Sequence, residues 1–287
     1  MDHRLHNLPE ANRMDPLAPV EYQPGIWRTA LKRATPMVVR GVVQTWPAYA
    51  TWSLDWLKDT MGDAHVHASS LEASGITNLA PERRVFLTLS DVLDRIAKQD
   101  AHAPDGGIYL GQRGGLLYLR GQEANLAPLL EDVVVPEVNR RLKMVVLWVG
   151  SGRNTTYTHF DPLEGILGAV RGRKRLIIFP PDETGHVYPS LTPKDPLGTR
   201  VALDRVEAFP DIATARYWDV TLEEGDAIYL PPGHWHLVSG EGLNIAVSQF
   251  WLVKRTEWVT NPALRALAAM RIRTFVPKAM TRILGRR

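Results

Sequence analysis

The chain contains no cysteine among its 287 residues. Disulfides, zinc–thiolate sites and thiol nucleophiles are therefore excluded, and any metal must take histidine, carboxylate or water as ligands. Long hydrophobic runs are also missing: nothing approaches the ~18 consecutive apolar residues that a bilayer span requires, so no membrane span is expected. The opening stretch "MDHRLHNLPEANRMD" lacks the apolar segment of a secretory signal, which makes a cytoplasmic location the expectation. A strong charge of either sign is absent, since the net charge is only +3. Much of the excess behind the sequence pI of about 9.1 sits in the tail "LRALAAMRIRTFVPKAMTRILGRR". On that ground no nucleic-acid partner is expected. No fixed-period repeat or low-complexity block is visible, which removes solenoids and propellers.

What is present suffices for a sizeable core, with 45% of residues hydrophobic. The first hundred residues mix helix and strand. "PGIWRTALKRA" reads as helix and "TPMVVRGVV" as strand; in "WSLDWLKDTMG", Ser53 is placed to cap a helix and Gly62 to end it. "HVHAS" alternates like a strand, and "LSDVLDRIAKQ" carries Leu89, Val92, Leu93 and Ile96 on one helical face. From about residue 107 the texture changes to short apolar runs between glycines and prolines: "GIYLGQ", "LLYL", "MVVLWVG", "RLIIFPP", "DAIYLPPG", "NIAVSQFWLV". That density of strands points to a mainly β fold, a β-sandwich or jelly roll. Asn261 and Pro262 then open a helical tail as cap and first helical residue. Three segments are expected: an α+β segment (1–106), a jelly-roll core (107–255) and basic C-terminal helices (256–287). In the tail, Leu264, Ala268, Ile272 and Phe275 recur at helical spacing, and Pro277 is expected to end or kink the first helix before a second one carrying Met280, Ile283 and Leu284.

The chemistry starts at "TYTHFD". Residues two apart on a strand share a face, so His159 and Asp161 can offer two ligands to one point. Alone such a pair carries little information, because it arises often by chance. The stretch "GDAIYLPPGHWHLV" adds His234 and His236 at the end of another strand. In a jelly roll, strands distant in sequence lie side by side, so one of these histidines can complete a set of two histidines and one carboxylate. That set is the facial triad of non-haem Fe(II) oxygenases, although zinc remains open on ligand type alone. In "RKRLIIF", Lys174 needs either solvent or an acidic partner, and a dicarboxylate cosubstrate would be such a partner.

With these residues in view, the chain resembles the JmjC or cupin-like Fe(II)- and 2-oxoglutarate-dependent oxygenases, nearest in layout to the asparaginyl hydroxylase of hypoxia-inducible factor. "TYTHFD", "GRKRLIIFPPD", "GDAIYLPPGHWH" and "QFWLV" occur in the family's order, and "PMVVRGVVQTWPAYATWSLDWLKDTMG" resembles its N-terminal segment. The resemblance implies a double-stranded β-helix. It implies Fe(II) held by His159, Asp161 and His236, and 2-oxoglutarate held at its distal carboxylate by Lys174, Thr156 and Tyr118, with O2 as the third reactant. Gln249, which stands where the relative has asparagine, would join the cosubstrate side of the pocket; Trp251 would line the pocket by resemblance, while by composition it reads as a core strand aromatic. It further implies hydroxylation of a C–H bond in a protein, peptide or amino-acid-like substrate, release of succinate and CO2, and a homodimer formed through the C-terminal helices. Two departures, Gln249 and Gly165 where the relative has asparagine, touch the cosubstrate and substrate side of the pocket, so its substrate is not carried over. His234 replaces an aromatic residue of the pattern and is expected to be a partly exposed neighbour of the site, the alternative being a group that supports the ligands or meets the substrate.

His65 and His67 lack a third ligand nearby and are expected to be structural or exposed, while Trp46, Trp52 and Trp56 are expected to pack the N-terminal elements. Competing readings are a metal-binding cupin with another reaction and a non-catalytic binding module. Neither requires an anchor for a distal carboxylate.

Overall fold

The computed structural model describes residues 8–70, 76–77, 84–98, 108–112, 128–134, 136, 142–151, 154–201 and 208–284. Its N-terminal part carries strands β1 (Val20–Glu21), β2 (Met37–Arg40), β3 (His65–Ser70), β4 (Ile76–Thr77), β5 (Arg84–Thr88) and β6 (Ile108–Gln112), with helices α1 (Ile26–Ala30), α2 (Pro47–Thr51), α3 (Leu54–Met61) and α4 (Leu89–Lys98). Strands β7 (Leu142–Gly150), β8 (Thr155–Thr156), β9 (His159–Phe160), β10 (Glu164–Phe179), β11 (Trp218–Leu222), β12 (Ala227–Leu230) and β13 (Trp235–Trp251) follow, and α5 (Glu257–Thr260) and α6 (Pro262–Leu284) close the chain.

Two long antiparallel strands organise everything else. The first half of β10 runs between β12 and the second half of β13; its second half runs between β11 and the first half of β13. The second half of β13 continues to β7, then β6, β3 and β5, whereas its first half pairs β8 and β9. Each long strand thus serves two sheets, and the switch occurs where the register slips between Ala169 and Arg173. Bulges make such corners by bending the strand and restarting its alternation. Gly172 sits in this corner at φ +67°, and a Cβ there would lie 2.2 Å from the Leu243 carbonyl oxygen, so the bend requires glycine. The result is a jelly roll.

The alternation of the strands sorts three cores. Leu167, Ala169, Leu176, Ile178, Val220 and Ala246 meet between the two halves of the roll. Ile166, Val170, Val247 and Trp251 face outward against the N-terminal helices, among them Trp46 and Trp52. Ile177, Phe179, Trp235 and Leu237 face outward on the other side and are covered by Ala263, Leu264 and Leu267 of α6. Helix α4 buries Leu89, Val92, Leu93 and Ile96, the stripe its periodicity marks. Ser53 Oγ accepts from Trp56 N–H at 3.0 Å at the start of α3, a cap contributing about 1 kcal/mol. Asn261 Oδ1 accepts from the N–H groups of Ala263 and Leu264 and fixes the start of α6.

The C-terminal segment departs from expectation. One helix, Pro262–Leu284, runs through Pro277 instead of two separated by it. A proline inside a helix removes a single backbone hydrogen bond and leaves the bonds on either side, so a helix can continue past it. The buried stripe is also rotated from the expected one: Ala263, Leu264 and Leu267 are buried, whereas Ile272 is 62% exposed. Among the described residues no helix is long and apolar enough to cross a membrane.

Candidate metal and cosubstrate site

His159 on β9 lies directly opposite His236 on β13 in an antiparallel pair, which brings their ring centroids to 4.5 Å. The chain then turns back toward β10, and Gly233 N–H donates to the Asp161 carbonyl oxygen at 2.9 Å, tying that turn to the end of β12. One donor atom from each of His159, Asp161 and His236 lies within 4.8 Å of the others, and His236 Nε2 is 3.8 Å from Asp161 Oδ2.

Hydrogen bonds behind the rings decide which nitrogens are presented. His159 Nδ1 is 2.8 Å from the Tyr157 carbonyl oxygen, and His236 Nδ1 is 2.9 Å from that of His234. A carbonyl only accepts, so each Nδ1 carries a proton, and in the neutral tautomer each Nε2 presents its lone pair. This is the outer-shell arrangement that orients metal-binding histidines. Two neutral imidazoles and one carboxylate on one side fit a divalent iron that keeps its remaining positions for exchangeable ligands.

The three groups border a cavity of about 60 Å³ between the halves of the roll. Its apolar wall includes Leu167, Leu230 and Phe250. Lys174 also lines it and is only 2% exposed. Alternation explains its position: past the corner, residues 174, 176 and 178 point inward, while Arg173 and Arg175 point outward to Glu223 and Asp219. Lys174 Nζ donates to Asn244 Oδ1 at 2.7 Å, and no carboxylate pairs with it among the described residues. Burial alone pushes its pKa down to about 7. Thr156 borders the same cavity, its Oγ1 accepting from Val238 N–H at 2.9 Å.

The structure therefore brings together His159, Asp161, His236, Lys174 and Thr156. Gln249 and Trp251 are not among the residues lining the cavity. On β13 the inward positions are His236, Val238, Ser248 and Phe250, so the intervening Gln249 and Trp251 face away. Trp251 packs in the outer core, and Gln249 Nε2 donates to the Val134 carbonyl. Tyr118 lies outside the described residues. His65 and His67 sit over the Phe86 ring, away from the cavity.

Sequence reading missed Asn244, Ser248 and Phe250. Counting in twos from His236 along β13 reaches all three, and the same count excludes Gln249 and Trp251. Phe250 also accounts for Gly165, whose Cβ would lie 3.1 Å from the phenyl ring. His234 is more deeply set than a neighbour of a metal ligand need be. It is 3% exposed and shares in the cavity lining, and burial pushes its pKa down to about 4.

The family described as "Cupin-like domain" matches residues 24–256, and the chain belongs to it. The chain is 27% identical over 251 residues to lysine-specific demethylase JMJ31 of Arabidopsis thaliana, covering 75% of this chain and 46% of that protein. It is 26% identical over 227 residues to lysine-specific demethylase 8 of Danio rerio, covering 75% and 53%. It is 27% identical over 239 residues to tRNA wybutosine-synthesizing protein 5 of Gallus gallus, covering 78% and 72%. The chain thus spans about half the length of the two demethylases. These matches carry the broad JmjC resemblance and not the finer one to the asparaginyl hydroxylase. JmjC members of the family are oxygenases that use Fe(II), 2-oxoglutarate and O2.

Proposed function

We propose that this cupin-like family member is an Fe(II)- and 2-oxoglutarate-dependent dioxygenase that hydroxylates a C–H bond of a protein, peptide or amino-acid-like substrate. One oxygen atom of O2 enters the substrate, the other enters succinate, and CO2 leaves. The observation that carries the reading is Lys174: a buried amine with an amide for company, in the same cavity as a two-histidine, one-carboxylate set. A buried cation is costly without a counter-charge. An anionic ligand supplies one, and a dicarboxylate bound at the metal by one end has a second carboxylate to offer.

In this reading His159, Asp161 and His236 hold the metal through Nε2, a carboxylate oxygen and Nε2, and the carbonyls of Tyr157 and His234 keep the two rings from rotating. Lys174 holds the distal carboxylate of 2-oxoglutarate through a charge-assisted hydrogen bond, with Thr156 Oγ1 beside it. Asn244 fixes the direction of the ammonium. Leu167, Leu230 and Phe250 exclude water around the reacting carbon. Bound Fe(II) supplies the activation of O2 and the oxidative decarboxylation.

The test is turnover of 2-oxoglutarate by the full chain with and without Fe(II). Succinate formed only with iron, together with a product heavier by one oxygen atom, is the expected result. Formaldehyde in place of a stable hydroxylated product would make the substrate an N-methyl group. No succinate across varied substrates would favour the binding-module reading.

A further inference from the structure

The roles assigned above leave His234 unused, yet its surroundings specify a task for it. Strand β12 ends at Leu230, two prolines follow, and Gly233 at φ +75° turns the chain so that the imidazole of His234 folds inward. Its Nδ1 lies 3.1 Å from the Pro231 carbonyl oxygen. The carbonyl only accepts, so Nδ1 carries a proton, and in a ring this buried, with no partner to stabilise a second N–H, Nε2 keeps its lone pair. That nitrogen is buried and has no hydrogen-bond partner among the described residues. A buried acceptor left unsatisfied is uncommon and calls for an explanation.

The explanation lies in the position of the ring. His234 and Pro231 line the metal cavity and also a second, open cleft of about 450 Å³. Arg33, Pro181, Trp218, Lys254 and Asn261 form other parts of that cleft, and the Trp218 and His234 rings lie 6.1 Å apart. Segments from both ends of the chain therefore wall the cleft, and His234 and Pro231 stand between it and the metal cavity.

We propose that this cleft admits the substrate and that His234 Nε2 accepts a hydrogen bond from an N–H of an amide-bearing group as it enters the metal cavity. Calling the ligand a substrate rests on the oxygenase reading; the hydrogen-bond preference does not. A neutral acceptor favours an amide that carries a hydrogen over one that is fully alkylated, and it repels carboxylate or phosphate at the same point. A site built for one hydrogen bond discriminates strongly against a ligand lacking it, since its own polar atom is then left unpaired. His234 is thereby a specificity-determining residue, with no part in holding the metal.

A matched pair of probes tests this. The full chain, labelled with 15N-histidine and loaded with Zn(II) and 2-oxoglutarate, is titrated with N-methylacetamide and separately with N,N-dimethylacetamide, which lacks the N–H. The expected result is an unprotonated His234 Nε2 whose resonance moves saturably with the first probe and not with the second. His234→Phe should lose the saturable binding of N-methylacetamide while keeping Zn(II) affinity. Equal responses to both probes, a response to neither, or an Nε2 that already carries a proton would each overturn the proposal. The two-probe comparison on the parent chain stands even where the variant does not fold. Zn(II)-induced changes at His159 and His236, and saturation by 2-oxoglutarate, report on the oxygenase reading separately.

Discussion

Lys174 Nζ and Asn244 Oδ1 meet at 2.7 Å inside the roll, a buried amine oriented by an amide. The ladder makes room for this contact. Lys174 pairs with Gly240 across β10 and β13, and a Cβ on Gly240 would lie 2.3 Å from Asn244 Nδ2. Asn244 is held in turn by the carbonyls of Gly242 and Gly150. Gly240→Ala should therefore dislodge the amide and weaken 2-oxoglutarate binding without altering metal affinity. Calorimetric titrations of Mn(II), then of 2-oxoglutarate, check this; unchanged cosubstrate affinity would show the amide to be dispensable.

Removing the amine itself should have a larger effect. A charge-assisted hydrogen bond contributes about 1.5–3 kcal/mol, so Lys174→Ala should weaken 2-oxoglutarate binding by about one to two decades. Metal affinity should remain, because no metal ligand depends on the side chain. Arg173 and Arg175 are unsuited to replace it, since both point outward into ion pairs with Glu223 and Asp219.

The same lysine gives a pH signature in the ligand-free chain. Its folded pKa is about 7 against 10.5 in the unfolded chain, so between those values the unfolded state binds one more proton. Stability then rises with pH across that window, by about 1.4 kcal/mol per unit at most, and the penalty is fully present below pH 7. Lys174→Met should remove this contribution. Urea unfolding of parent and variant from pH 7 to 10 reads the difference; parallel stability curves would mean that Lys174 keeps its usual affinity for a proton.

Most of the fold was legible in the sequence because local signals were strong. The stripe in α4, the Ser53 and Asn261 caps, and the alternation of apolar runs with Gly and Pro each had a direct physical meaning. His159 and Asp161 were legible as a pair by strand period. What remained hidden depended on the corner at residues 169–173, where a register slip resets which side chains face inward. No local pattern announces that slip, so Lys174 could be read either as a solvated neighbour of three arginines or as a residue of the floor. Gln249 was placed at the pocket by likeness of motif alone, and Trp251 stood between pocket by motif and core by composition; strand parity turns both away from the cavity, and Trp251 packs in the core.

Metal binding should separate the three histidines of the site. His159→Ala and His236→Ala each remove one of the converging Nε2 groups and should abolish tight binding of Fe(II) or Co(II). His234→Ala should retain it, because Nδ1 of that ring is engaged by Pro231 and its Nε2 belongs to no metal-ligand cluster among the described residues. Spectroscopic titration with Co(II) distinguishes them. Binding that survives without His236 and fails without His234 would reverse the assignment.

The corner itself can be tested with two glycines that share a backbone conformation but not a neighbourhood. Gly172 and Gly242 have φ of +67° and +65°. Alanine at either position adopts the left-handed region at a cost of about 1 kcal/mol. At Gly242 a Cβ meets nothing within 4 Å, so that strain should be the whole effect. At Gly172 the Cβ would lie 2.2 Å from the Leu243 carbonyl oxygen, a fixed backbone atom, and the two long strands must separate to admit it. Gly172→Ala should therefore cost clearly more than Gly242→Ala, by about 2 kcal/mol or more, within the range for overpacking a tight site. Urea midpoints of the two variants give the comparison directly. Because Lys174 lies two residues beyond Gly172, Gly172→Ala should also weaken 2-oxoglutarate binding, and Gly242→Ala should not. Equal destabilisation by the two substitutions would mean that the bend tolerates a side chain and that its register slip has another cause.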